Sequence, residues 1–454
     1  MTGILDKAGT YQMAFQAQDI SSSAMKAAIK DWFRLYYLQE PTEDEDPCQQ
    51  IPNTIVRKLT KTTFSEYSAT SKDPFAAQVL DALDATSVAG VQQAMIGGVS
   101  YLKPVPRGDR FDFLVVPRNN ILIFGCDPWG NPTDIGAIET TVQDRFYYTL
   151  LERRTVDERG YLTIKCSLYR SYSASELGQA ESLNLLPQYA NLPDLYTFPK
   201  PVGSVGLIPV RVPTENCVDG SKDAVSVYAT AVGLIHNINR NEAQLNGEFE
   251  RGESRIIVDD DMLKKGKDGR QTLSDHVFSS IDGNGIDSVG VTIFSPTLRI
   301  DAFDTRKQSY LRSVENIIGL KRGLLSEVEA VERTATEITS SAGDYNLTIT
   351  DFQQMWENAV REALRVCGIL GQMYRIPGAH EVTGDQVVIS WGNGVLFDEE
   401  KTRQRMLSEV QANLLQPERY LGFVYNLPCD TATQRARIRK DYMPEVADEP
   451  EEDE

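Results

Sequence analysis

Histidine is almost missing. Three residues, His236, His276 and His380, serve a chain of 454, and they stand too far apart to read as metal ligands or as a general base. No GxxxxGK[ST], HExxH or GxSxG occurs, and the nearest glycine cluster, Asp282-Gly283-Asn284-Gly285, lacks the strand-to-helix setting of a dinucleotide loop. Asp259, Asp260 and Asp261 are contiguous rather than spaced as a calcium loop requires, and read as a solvated turn. The chain is therefore expected to have no catalytic residue, no metal and no cofactor, and not to be an enzyme. Cysteine is sparse as well: the six residues form no CxxC pair and suit a reducing compartment as small buried hydrophobes. No apolar run of about 20 residues appears, and Met1 to Phe15 mixes Asp6, Lys7 and Gln12 into its apolar positions, so neither a membrane span nor a secretory signal is expected.

What the chain has in excess is acid. Against 46 basic residues stand 65 acidic ones, a formal charge of −19, which argues against a broad basic face that grips nucleic acid by counterion release. The last ten residues, EVADEPEEDE, hold seven carboxylates and no cation. Residues 441–454 are expected to be a disordered, solvated tail.

Periodicity divides the rest. Residues 10–40 read as a helix through Ala24, Ala27, Ala28, Trp32, Leu35, Tyr36 and Leu38, with Ser21 to Ser23 as the capping cluster, ending at the acidic stretch Pro41 to Pro47. A second helix is expected from about Asp73 to Ile96, with Val79, Leu80, Leu83, Val88, Val91 and Met95 on one side. Short β-rich runs follow, Phe111–Val116, Asn120–Phe124, Ala137–Val142, Arg145–Arg153 and Tyr161–Tyr169, broken by turn formers. The fold class is α+β.

Beyond Pro213 the spacing of Ala224, Val227, Tyr228, Ala231, Leu234, Ile235, Ile238, Leu245 and Phe249 predicts a helix from near Ser221, roughly 45 Å long. Residues 252–300 are β and turn in character. A helix from Asp301 to about Leu320 follows, striped by Phe303, Tyr310, Leu311, Val314, Ile317 and Ile318. Ala335, Ile338, Ala342, Tyr345, Ile349, Phe352, Trp356, Ala359, Ala363, Val366 and Leu370 then alternate steps of three and four, a helix of about 60 Å. Its stripe fits either a neighbouring copy or an intrachain core, and Trp356 is expected to be core. Gly343 marks a kink. Thr334 and Glu337 fit a capping box at its start, which leaves 321–333 as a loop between two long helices.

Several stretches, in this order, resemble the portal (head-to-tail connector) proteins of long-tailed phages of Gram-positive hosts. They are Tyr147-Tyr148-Thr149-Leu150-Leu151-Glu152 with Tyr161 to Tyr169; Ser254-Arg255-Ile256-Ile257-Val258 with Met262-Leu263; Gly323-Leu324-Leu325-Ser326; Thr334-Ala335-Thr336-Glu337-Ile338 on to Tyr345; and Leu396-Phe397-Asp398 before a charged helix. The likeness covers about 130–410. It implies a dodecameric ring at one capsid vertex through which double-stranded DNA is packaged and ejected. It also implies a division into wing (1–220), stem helices (221–251 and 301–320), clip (252–300), tunnel loop (321–333), long wing helix (334–376), C-terminal wing or crown (377–440) and tail (441–454).

On that resemblance, Lys321, Arg322, Glu327, Glu329, Glu332 and Arg333 would face the DNA channel. Acidic tiers would repel phosphates while the cations touch them briefly, though the same charges would also suit a solvated helix surface. Arg255, Ile257, Val258 and Met262 would belong to the docking clip, whose strands are expected to pair partly between chains. The implied partners are other copies of the chain, duplex DNA without sequence preference, the terminase large subunit that hydrolyses ATP, the major capsid and scaffolding proteins, and a head-completion adaptor. The implied setting is the virion, assembled in the bacterial cytoplasm. One departure stands out: the family's tunnel loop is often rich in glycine and aromatics, whereas this one reads Leu325-Ser326-Glu327-Val328-Glu329-Ala330-Val331-Glu332-Arg333. Two other readings remain, a minor capsid or baseplate component, which would form no closed ring with an axial hole, and a DNA-cutting enzyme, which would gather carboxylates around a metal.

Overall fold

The first helical stretch is two helices rather than one. α1 (Ala8–Phe15) stops where Gln16 takes a φ of 55°, and α2 (Ser23–Tyr37) begins where the Ser22 hydroxyl accepts the Met25 amide at 3.1 Å. The computed structural model describes residues 8–37, 47–252, 255–258, 263–265, 271–273, 291–294, 297–327, 335–382, 386–391, 399–425, 427–429 and 431–443. They fall into two units, 1–64 with 69–389 and 65–68 with 390–454.

In the larger unit α3 (Ile51–Thr63) buries Ile55, Val56 and Leu59. β1 (Ser68–Ser71) pairs with β15 (Val387–Ser390) late in the chain. α4 (Pro74–Gly97) starts at an N-cap, where the Asp73 carboxylate accepts the Ala76 amide at 2.7 Å and Pro74 fills the first turn. It buries the expected stripe with one exception, Val88, which is 48% exposed. β2 (Val99–Arg107) and β3 (Arg110–Pro117) form a hairpin under α4, and β10 (Ile208–Arg211) adds to the outer side of β2. β4 (Ile121–Cys126), β5 (Pro132–Gln143), β6 (Phe146–Val156), β7 (Leu162–Ser171) and β8 (Gln179–Glu181) make a second, antiparallel sheet in sequence order, with β9 (Leu195–Thr197) also on β7. One face packs Tyr148, Leu150, Cys166 and Leu168 under Leu183, Leu186 and Tyr189. The other packs Tyr11 and Phe15 of α1 against Leu122, Ile138 and Leu151.

α5 (Val232–Arg251) begins eleven residues after the position that spacing predicted. Ala224, Val225, Val227 and Tyr228 are buried as expected, but as an irregular strap. The Met95 carbonyl, near the end of α4 where carbonyls lack helical partners, accepts the Val227 amide at 3.0 Å and the Ser226 hydroxyl at 2.9 Å. Tyr228 Oη donates to the Trp32 carbonyl at 2.9 Å. These tertiary bonds outcompete helix for that segment, and Gly98, at φ 84°, lets the strap pass where a Cβ would lie 2.5 Å from the Ala224 backbone. α5 thus spans about 30 Å, not 45.

β11 (Arg255–Val258), β12 (Leu263–Lys265), β13 (Gln271–Leu273) and β14 (Val291–Phe294) pair within the chain, β11 with β14 and β12 with β13. α6 (Ile300–Ile318) buries Leu311 and Val314 but leaves Ile317 49% exposed, as α5 does Phe249 at 45%. α7 (Ala335–Tyr374) buries Tyr345, Ile349, Phe352, Trp356, Ala359, Ala363, Val366 and Leu370. Its stripe faces the chain's own core: Trp356 lies edge-on to Phe64 (5.7 Å between centroids, 79°) and beside α4 at Gly90. Gly343 lies within the helix, and side chains 335–344 fall outside the described set.

The smaller unit holds α8 (Glu399–Gln411), α9 (Pro417–Val424) and α10 (Ala432–Tyr442). α10 opens on a capping box, Thr431 with Gln434. It also carries helix into Tyr442, so the expected tail cannot begin at 441. Asp259–Asp261, Pro41–Asp46, Leu396–Asp398 and the rest of the tail, 444–454, lie outside the described residues. Cys166 and Cys367 are buried, whereas Cys126 and Cys217 are exposed, against the expectation for all six.

Candidate functional site

α5 and α6 lie antiparallel and are joined at three levels. Glu248 meets Arg299 at 2.6 Å, Asn241 Nδ2 donates to the Phe303 carbonyl at 3.1 Å, and Lys307 meets Glu242 at 2.9 Å. Hydrogen bonding from Arg299 holds the Glu248 carboxyl below the usual range and raises the guanidinium in turn. The level nearest the insertion is this Glu248–Arg299 pair, so the two ends of 252–299 are brought together. The β11–β14 ladder then closes its base, with Arg255 opposite Phe294 and Val258 opposite Val291. Arg255, Ile257 and Val258 of the expected docking clip belong to β11. The side chains of all three, and Met262 altogether, lie outside the described residues.

At the other end of α6 the chain turns through Gly319 (φ 75°) and Gly323 (φ 91°). The turn is built on a residue that motif and loop reading passed over, Glu315. Only 1% exposed, its carboxylate accepts the amides of Gly323 (3.1 Å), Leu325 (2.5 Å) and Ser326 (2.9 Å) and the Ser326 hydroxyl (2.7 Å). A carboxylate with that many donors is satisfied without a cation. Lys58 of α3 donates to the Leu324 carbonyl, Thr348 Oγ1 to the Gly319 carbonyl at 3.4 Å, and the Glu327 amide to Gln308 Oε1 at 2.9 Å. Residues 319–327 are thus tied to α3, α6 and α7. The sequence signal was present: Glu315 falls in phase with Leu311, Val314 and Ile318, where an apolar residue belongs.

Of the six residues assigned to a channel, Lys321, Arg322 and Glu327 are exposed on this pinned segment. Glu329, Glu332 and Arg333 lie outside the described residues, as do Thr334 and the side chain of Glu337. The neighbouring Ser326 is buried and faces Glu315, so the first half of 321–333 is a fixed mount rather than a free loop. His236 sits 3.3 Å from Asp31, His380 the same distance from Asp73, and His276 lies outside the described residues. Among the described residues no group of three or more His, Cys, Asp or Glu is placed to hold a metal ion, and no helix is long and apolar enough to cross a membrane.

Replacing Glu315 with alanine is expected to free the amides of Gly323, Leu325 and Ser326. Each bond to a charged acceptor contributes about 1.5–3 kcal/mol, so their hydrogen exchange should accelerate about tenfold or more, with α4 unchanged. Mass-resolved exchange over 319–327 checks this; equal protection in both proteins would show that the segment is held by other contacts.

No family model matches the chain, and no curated protein does. Among solved structures the chain is similar to one from the neck of a native GTA particle computed with C12 symmetry, with 13% identity over 93% of this chain and 99% of that one, at a TM-score of 0.47.

Proposed function

We propose that the chain is a non-enzymatic subunit of a phage portal: a ring, twelve-membered as the resemblance implies, at one capsid vertex, through which duplex DNA enters and leaves. The observation that carries the reading is the arrangement of α5 and α6. An antiparallel helix pair has a β insertion closed at one end and, at the other, a pinned turn that delivers the chain into a helix of 40 residues. Helix, insertion, helix, turn and long helix follow one another in the order of the resembling motifs. In this reading the insertion docks the packaging motor, the terminase, and later a head-completion adaptor. Capsid and scaffolding proteins are further partners, and Lys321, Arg322, Glu327, Glu329, Glu332 and Arg333 face the DNA. No cofactor takes part.

Negative-stain imaging of the purified chain tests the ring: closed rings with an axial hole wide enough for a duplex are expected, and monomers or open arcs would end the proposal. A packaging reaction with the motor tests the channel. Changing Glu327 and Glu329 together to lysine should make packaged length fall more steeply with ionic strength, since added cations bind phosphates by counterion release. Identical length at every salt concentration would remove the segment from the DNA path.

A further inference from the structure

The three-stranded sheet of the larger unit leaves part of one face uncovered. Register sets Arg211 of β10 opposite Val99 of β2 and Pro209 opposite Tyr101, so these four side chains share a face. With Ile123 of β4 and Ala224 of the strap they line a pocket of about 300 Å³, to which the turn between β4 and β5 adds a wall. That volume is at the small end for a ligand site and suits one large side chain.

Inside the pocket, hydrogen-bond donors are left over. Tyr101 is 3% exposed, and its hydroxyl has no hydrogen-bond partner among the described residues, an uncommon state for a buried polar group. Burial holds its pKa up at about 12, so it stays a donor at neutral pH. Arg211 gives one N–H to the Lys222 carbonyl, and neither cation meets a carboxylate among the described residues. The three lining carboxylates are already engaged, Asp127 by the Trp129 and Asn131 amides, Asp219 by Ser22 and Asn216, and Asp223 by Arg118. An apolar hollow with spare donors fits a ligand that is apolar at one end and a carboxylate at the other.

The turn indicates where such a ligand comes from. Asp127 fixes its backbone, accepting the Trp129 amide at 2.9 Å and the Asn131 amide at 2.8 Å, and Gly130 packs so closely on Lys222 that a Cβ would lie 2.7 Å from it. Trp129 is thereby held next to the pocket with 79% of its surface exposed. An indole presented in this way is an anchor for a protein partner, and a small acid filling the pocket would leave it uncovered.

We infer that the pocket captures the carboxyl terminus of a partner protein whose last residue is large and apolar. Tyr101, Arg211 and Lys222 donate to the terminal carboxylate, Val99, Ile123 and Pro209 hold the side chain, and Trp129 packs on the residues before it. The site does not depend on the ring reading.

The probes are N-acetylphenylalanine, its carboxamide, and a pool of hexapeptides that end in phenylalanine with a free carboxylate, offered to the purified full chain and read by saturation-transfer NMR and calorimetry. The acid should bind, and the amide at least tenfold more weakly. Y101F, and separately R211Q with K222Q, should each weaken the acid by about tenfold or more, as the loss of hydrogen bonds to a charged group implies. Melting should be unchanged in Y101F, whose hydroxyl bonds nothing in the fold. The best hexapeptides should bind at least tenfold tighter than the acid and lose that gain in W129A. An amide that binds like the acid, or variants that bind like the unmodified chain, would overturn carboxylate capture. Hexapeptides no tighter than the acid, or indifferent to W129A, would leave a small organic acid as the occupant and overturn docking of a protein. A pocket that binds in monomers but not in assemblies is covered by a neighbouring copy, which would equally overturn the inference.

Discussion

Truncating Trp356 to alanine should lower the unfolding free energy of the larger unit by about 3–5 kcal/mol. The indole is 0% exposed and meets Phe64, just past the end of α3, edge to face, a geometry that adds to its area burial. A Cβ placed on Gly90 of α4 would come within 3.8 Å of the ring and 3.1 Å of Leu102 on β2. Three layers, strand, helix and helix, therefore close on one side chain, and alanine would leave a void that none of them can fill without moving. A ring that stacked on nucleic-acid bases would have to be exposed, and this one is not. Urea denaturation with tertiary fluorescence or exchange as the probe gives the shift; an unchanged midpoint would mean that the core closes without the indole.

Removing the Glu152 carboxylate should cost a similar amount, for an electrostatic reason. Glu152 is 4% exposed on β6, paired with Lys103 of β2 at 2.5 Å and with Arg154 two residues along its own strand. Arg154 also donates to the Val205 carbonyl at 3.0 Å. Burial by itself would push the Glu152 carboxyl up, but the charges of Arg154 and Lys103, with their hydrogen bonds, outweigh it and hold the group down at about 2, against an ordinary 4.5. Alanine there strands two cations in a dry sheet face, a loss of about 3–5 kcal/mol. The pH dependence follows the lowered value. The contribution is complete above the unfolded value near 4.5 and is lost as pH falls toward about 2, a change of about 3 kcal/mol. Glutamine at 152 should flatten the stability profile across that window. If the variant's acid limb matches the unmodified protein's, the pair does not govern acid unfolding.

The parts of the fold that could be read in the sequence are those where one physical constraint acted alone. α7 kept its three-and-four spacing because a 40-residue helix with one buried side admits no other pattern, and α4 was marked by Asp73-Pro74. β2 escaped notice because Pro104 and Pro106 argue against a central strand. The register explains them: β10 covers only Val99 to Leu102, so both prolines lie where that edge of β2 is uncovered. α3 was hidden by a threonine-rich sequence and Pro52, and its helix depends on the burial of Ile55, Val56 and Leu59. At the candidate site the two helices and the turn were legible, and Glu315 showed only as a charge in phase with an apolar stripe; its role was hidden because most of its partners are backbone amides, which every residue but proline supplies and no motif records.

The position of α7 across α4 has a consequence for how the chain is made. Trp356 leaves the ribosome roughly 270 residues after Gly90, which at about 5–20 residues per second is roughly 10–50 s later. For that interval the nascent chain holds α3, α4 and β2 with one apolar side of their layer uncovered, and contacts so distant in sequence form slowly once the last segment arrives. Synthesis, rather than the folded state, is where this protein is most exposed to aggregation, and slowing translation downstream of α4 should lower its soluble yield more than an equal delay downstream of α7.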